Sequence, residues 1–332
     1  MFATCRGSLS MPWMAAVFLI ATATGDVPGQ ESRVELPNAR PVPRMQVIPL
    51  PDAQASIQRD GEELTRVHFG PSLRRPFLFP INGPSGRPLT RMGHPHDPEG
   101  HSHHNSVWVA HESVNGESFW SDRGPGRVVH RRIVRYQDGD DEASVVSSNA
   151  WIGKGDATLL TELRGVTVRP LEGREWLLIL DLQFRAAKQP VTFGATPFGL
   201  PGVRMAKTVG VKDGGGLIRN SEGNSGEQGP NGVFRKRARW VDYSGPIARD
   251  VIEGITLFDH PANPNHPTHY HVRDDGWMGA SLTTESPITV EPGKGLRLRY
   301  GLYVHEGAPT TSSLDARWRE FARSPLADLP DK

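Results

Sequence analysis

The chain has one cysteine, Cys5, in 332 residues. That excludes an internal disulfide framework and a cysteine-ligated zinc site. Charge of neither sign is in excess: 38 lysines and arginines face 37 aspartates and glutamates. An electrostatic nucleic-acid binder shows a basic surplus, so nucleic acid is not an expected partner. The hydrophobic fraction is 36% and mean hydropathy is negative, which does not suit a polytopic membrane protein. Several motifs are missing as well. There is no G-x-S-x-G elbow, no Walker-type G-x-x-x-x-G-K and no Rossmann fingerprint, so no nucleotide cofactor is expected. His111-Glu112-Ser113-Val114-Asn115 starts like H-E-x-x-H, but Asn115 stands where a zincin needs its second histidine.

What is abundant is glycine, proline and histidine, at 36, 29 and 13 residues. The first two favour many short strands and turns over long helices. Arg6, the apolar stretch Pro12 to Ala23 and the small-x-small triplet Ala21-Thr22-Ala23 form a signal-peptide pattern over residues 1–23. Its apolar run is too short to span a bilayer comfortably. Cleavage would remove Cys5, export the chain to the periplasm or beyond, and leave no stable membrane insertion. Residues 24–44, rich in proline, glycine and charge, read as a disordered spacer.

From Met45 the pattern has period two. Trp176, Leu178, Leu180, Leu182 and Phe184 share one face of a strand, with Leu177, Ile179, Asp181 and Gln183 on the other. Leu296 to Val304 alternates in the same way. Arg127 to Tyr136, Ala143 to Trp151 and Thr158 to Arg169 read as further strands, with Asp138-Gly139 turning between the first two. Leu314, Trp318 and Phe321 mark a helix capped at Ser312 or Ser313 and stopped by Pro325. Val209 to Gly232, with eight glycines, reads as a long loop. The expected fold is all-β: one large two-sheet sandwich over residues 45–325, few short helices, a C-terminal helix, and a tail at 326–332.

Ten of the histidines fall in two windows. The first holds His94, His96, His101, His103, His104 and His111; the second holds His260, His266, His269 and His271. Imidazole serves as acid, base or metal ligand near neutral pH. The spacing H-x-H on extended backbone points both rings to one side, as two ligands of one metal require. Trp108, Phe119 and Trp120 flank the first window, Tyr270 and Trp277 the second. Such aromatic faces stack on sugar rings, or else fill a core.

His103-His104-Asn105-Ser106-Val107-Trp108-Val109-Ala110-His111, followed by Val114-Asn115-Gly116 and Phe119-Trp120, resembles the hallmark of a PmoA-like family of exported bacterial proteins of unknown function. That hallmark runs roughly H-P-H-H-R-x-L-W-x-x-H-x-x-V-N-G-x-x-F-W. Arg75 to Pro80, Lys236 to Gly245 and Phe258 to Pro261 fit further blocks, in order. Ser102 and Asn105 replace the family's usual proline and arginine, which puts any role of that arginine in doubt. Members are loosely labelled methane oxygenase, a membrane activity for which this chain has no hydrophobic pattern. The family is similar to galactose-mutarotase-like supersandwich proteins, and the resemblance implies a carbohydrate site on a concave sheet face.

The resulting expectation is an exported carbohydrate-active enzyme using His/Asp acid–base chemistry on a sugar or glycoside. Epimerisation, elimination and hydrolysis all remain open. The catalytic set is His103, His104, His111, Asp259, His260 and His271. Arg91, Asn115, Trp120, Lys236, Tyr243 and Arg273 would hold substrate. One divalent metal in the same site, and a non-catalytic carbohydrate-binding protein, are the alternatives. Both histidine windows are expected to meet in one pocket.

Overall fold

The computed structural model describes residues 36–93 and 101–330, so the signal segment, His94 and His96 lie outside the described residues. Residues 36–41 contain one turn, closed by Ala39 N donating to Leu36 O. The body of the chain begins at Val42, and its first strand is Met45–Leu50.

Two antiparallel sheets carry the body. The first has nine strands in the order Met45–Leu50, Gln54–Arg59, Glu62–His68, Phe77–Ile81, Val107–His111, Gly199–Arg204, Trp277–Ser281, His269–Arg273 and Lys236–Arg237. The second has eight, in the order Leu217–Asn220, Trp240–Ala248, Val251–Asp259, Gly295–Glu306, Trp176–Ala186, Thr158–Pro170, Ala143–Ile152 and Arg127–Gln137. Val191–Phe193 and Ile288–Val290 make a small separate pair. The protein is therefore an all-β two-sheet sandwich.

Period-two alternation explains the layers. Trp176, Leu178, Leu180, Leu182 and Phe184 all enter the main core between the sheets. Val107 and Val109, Tyr270 and Val272, and Met278 and Ala280 enter it from the nine-stranded sheet. The opposite face of the eight-stranded sheet holds Ile179, Trp240, Phe258 and Tyr303, which pack with Leu314 and Phe321 of the helix Thr311–Ala322. The cap of this helix is Thr310, whose side chain accepts from Ser313 N, rather than Ser312 or Ser313. Among the described residues no helix is long and apolar enough to cross a membrane.

One expectation needs correction here. Val209 to Gly232 is not one long loop. It contains the short helix Val211–Gly214 and the edge strand Leu217–Asn220. Gly215, at φ 73°, turns the chain between them, a conformation that glycine adopts without Cβ strain. Leu329 and Asp328 contact the body of the chain. Gly165 leaves no room for a Cβ beneath the side chain of Leu329, which would lie 2.8 Å from it, and Arg297 pairs with Asp328 at 2.6 Å.

Candidate functional site

The outer face of the nine-stranded sheet carries a third apolar cluster: Phe77, Trp108, Ala110, Trp120 and Trp277. Strand register explains how it forms. Phe77 pairs with Trp108, Trp108 with Gly202, Gly202 with Gly279, and Gly279 with His271. One row across five strands thus sets two adjacent glycines between the rings of Phe77 and Trp108 on one side and His271 on the other. A Cβ on Gly202 would lie 2.7 Å from Trp108 Cζ2, and one on Gly279 would lie 2.9 Å from Trp277 Cη2. The two glycines let the indoles lie close over the sheet. Gly202→Ala is expected to force Trp108 aside and destabilise the protein by about 1–3 kcal/mol. A lowered denaturation midpoint with unchanged slope would show it; an unchanged midpoint would mean that Trp108 has room to move.

Above this floor is a cavity of about 730 Å³. It is lined by His101, His103 and His104 from the first histidine window, and by His271 and Arg273 from the second. Trp120, Phe198, Phe234 and Trp277 supply aromatic walls, and Glu112, Glu227, Asp275, Lys212 and Arg235 supply charge. The two windows therefore meet. Trp277 joins them: its ring centroid is 6.0 Å from that of His104 and 4.5 Å from that of His271.

Buried Arg75 positions the first window. Its guanidinium donates to His103 O at 3.2 Å, Asn105 Oδ1 at 2.9 Å, Phe119 O at 3.2 Å and Trp120 O at 2.7 Å. One side chain thus ties the histidine turn to the loop carrying Trp120. Asn105, where the resembled family has arginine, serves here as an acceptor in that tie. Within the turn His101 and His104 stack at 4.6 Å, and His104 stacks on Trp108 at 5.1 Å. On the other side, Tyr270 and Val272 point into the core, so His271 and Arg273 face outward into the cavity.

Burial sets the protonation of these rings. It lowers the pKa of His103 to about 4, with Arg75 adding to the effect against the opposing pull of Asp122. It lowers that of His271 to about 4, assisted by Arg235 and Arg273. His104 is also driven well below the ordinary imidazole value, by burial first and then by His103 and Arg204. All three are neutral at neutral pH. His104 and His271 are each more than nine-tenths buried, and the Nδ1 of each has no hydrogen-bond partner among the described residues. The carboxylates are better matched. Asp275 pairs with Arg204 at 2.8 Å, Glu227 with Arg273 at 2.8 Å, and Glu112 accepts from Ser118 Oγ at 2.9 Å.

Several expected site residues are elsewhere, for identifiable reasons. His111 shares the inward face of its strand with Val107 and Val109. Its Nε2 meets Thr283 Oγ1 at 2.8 Å and its Nδ1 accepts from Ser113 N. Asp259 organises its own loop, accepting from Asn263 Nδ2, His266 Nδ1 and Thr268 N at 2.7–2.9 Å. His260 holds the end of the C-terminal helix through Ser324 O at 2.8 Å. Asn115, at φ 50°, is the first central residue of an Asn-Gly hairpin turn and bonds Thr192 N. Lys236 Nζ donates to Pro230 O. The Tyr243 hydroxyl accepts from Val211 N and lies 3.1 Å from Asp274 O, so it pins the cavity wall from behind. Arg91 lies near enough to His104 to lower its pKa but does not line the cavity. Phe119 and Tyr270 belong to the core.

The sequence reading missed Phe198, Lys212, Glu227, Phe234, Arg235 and Asp275. Lys212 and Glu227 come from the glycine-rich stretch read as a long loop, where no local pattern marks them. Among the described residues no three His, Cys, Asp or Glu side chains are gathered to hold an ion.

Solved structures with similar backbone arrangement are distant. A GalM/aldose epimerase homologue from C. elegans matches with TM-score 0.34 and 8% identity, over 80% of this chain and 100% of that one. A putative kojibiose phosphorylase from the human microbiome gives 0.34 and 8%, over 86% of this chain and 37% of that one. A polysaccharide lyase gives 0.28 and 11%, over 81% and 34%. This chain thus spans only about a third of the length of the last two. No curated protein matches it by sequence. A family model covers residues 54–319 and names no activity. The chain belongs to that family of unknown function, DUF6807.

Proposed function

We propose that the cavity on the outer face of the nine-stranded sheet binds a sugar or glycoside, and that its buried imidazoles move a proton on that ligand. The supporting observation is the pairing of His104 and His271. They come from separate histidine windows, flank Trp277, are neutral, and leave Nδ1 unbonded in a cavity walled by aromatic rings. Trp120 and Trp277 contribute apolar lining for the C–H side of a pyranose, and the charged rim offers partners for hydroxyls. A neutral imidazole is a base in the resting state, so His271 with His104 or His103 takes up a proton during the reaction and returns it later. Asp259 has no part in this arrangement, because its carboxylate is committed to its own loop. The protein would act outside the cytoplasm, a reading that rests on residues 1–23 alone.

A panel of mono- and disaccharides tests the proposal by intrinsic fluorescence and by NMR of the sugar. A binding sugar is expected to change tryptophan emission saturably, with Trp277→Ala weakening binding by about tenfold or more. Binding with turnover supports the enzyme reading. Binding without turnover leaves a carbohydrate-binding protein, and no binding across the panel overturns the proposal.

A further inference from the structure

We infer that the sugar carries an anionic group, a carboxylate or a sulfate ester, and that Arg235 is the residue that binds it. The inference rests on the sugar reading above and narrows its substrate class.

Charge matching within the cavity is the starting point. The cavity wall holds three cationic side chains, Lys212, Arg235 and Arg273, and three carboxylates, Glu112, Glu227 and Asp275, with the buried Arg204 behind Asp275. Arg273 is answered by Glu227 and Arg204 by Asp275, both at 2.8 Å. Arg235 is different. Among the described residues no carboxylate lies within ion-pair distance of it, although it lines the same cavity.

Its placement is specific. The guanidinium carbon lies 5.0 Å from the ring centroid of Phe234, and that of Arg273 lies 5.7 Å from the same ring. Phe234 in turn meets the His271 ring at 4.9 Å. The unmatched guanidinium is therefore held beside a proposed base by an aromatic support. Stacking fixes its plane and leaves the N–H fork free to bind two oxygens of a carboxylate or sulfate.

The backbone supports the same reading. Arg235 has φ 56°, a left-handed conformation that is unfavourable for a residue with a Cβ. Arg235 N donates to Tyr270 O at 2.8 Å and Lys236 N to Val233 O at 3.1 Å, so the turn is locked onto the strand that carries His271.

The test compares matched sugars of gluco, galacto and manno configuration: the neutral hexose, its uronate and its 6-sulfate, each titrated calorimetrically. At least one anionic member is expected to bind about tenfold tighter than its neutral parent. Arg235→Gln should remove that advantage, and Arg235→Lys, which keeps charge but not the fork, should restore part of it. Whether uronate or sulfate shows the gain identifies the group. Neutral hexoses binding as tightly as both anionic partners would overturn the inference and leave the sugar reading standing. So would an anionic advantage that survives Arg235→Gln in protein with unchanged melting. Failure of every sugar to bind would instead overturn the sugar reading and this inference with it.

Discussion

On the proposed function, replacing His271 by alanine is expected to lower turnover of a sugar substrate by about 10²–10⁴-fold, the range that a positioned acid–base group supplies. The strand should survive, because His271 is an outward position whose neighbours Tyr270 and Val272 hold the strand to the core. His104→Ala should act similarly on turnover, with some loss of stability from the stack on Trp108. The wild-type pH profile is a second readout. The working form is the neutral ring, so kcat/KM should fall as pH drops through about 4, where His103 and His271 titrate, and stay flat from there toward neutrality. A limb near the ordinary imidazole value would point to a different base. Unchanged turnover in both alanine variants would sink the catalytic role. Loss of the folded state in both would make these histidines structural.

Arg164→Met should destabilise the protein by about 3–5 kcal/mol, the cost of leaving a buried charge without its partner. Arg164 and Glu162 are both almost fully buried and bond through two contacts of 2.5 and 3.1 Å. Glu162 also accepts from Trp151 Nε1 at 2.7 Å, and Arg164 donates to Pro76 O at 3.2 Å. The pair thus links the eight-stranded sheet to the start of a strand in the other sheet. Adding Glu162→Gln to Arg164→Met should recover much of the loss, since the stranded charge is then gone while Trp151 keeps an acceptor. Chemical denaturation of the two variants measures this. A single variant as stable as the double would mean that water reaches Glu162 and screens it.

The same pair shows where reading the sequence stops. Leu160, Glu162, Arg164, Val166 and Val168 alternate along one strand, and Leu160, Val166 and Val168 enter the core. Two charges in that row are tolerable inside only because each neutralises the other, which no pattern of hydrophobicity reveals. The strands themselves were legible, because alternation is local. Arg127 to Tyr136, Ala143 to Trp151 and Thr158 to Arg169 match strands that extend them by one residue. The glycine-rich stretch was not legible, since a four-residue strand at a sheet edge leaves too few positions for a period to show.

For the site, histidine density alone indicated the two windows, and aromatic residues beside them indicated the composition of the walls. Which histidines face the cavity was a question of side and distance. His111 points inward because it shares parity with Val107 and Val109; His271 points outward because Tyr270 and Val272 do not. His260 is close to His271 in sequence but is taken up by Ser324 near the end of the C-terminal helix. The sequence by itself determined an all-β chain with two concentrations of imidazole and a surplus of glycine for turns. Only the tertiary structure decided that Gly202 and Gly279 would lie between Trp108 and His271, because register between strands far apart in the chain is set by the packing of whole sheets. That packing, rather than any local pattern, puts His104, Trp277 and His271 around one cavity and leaves Arg235 beside it.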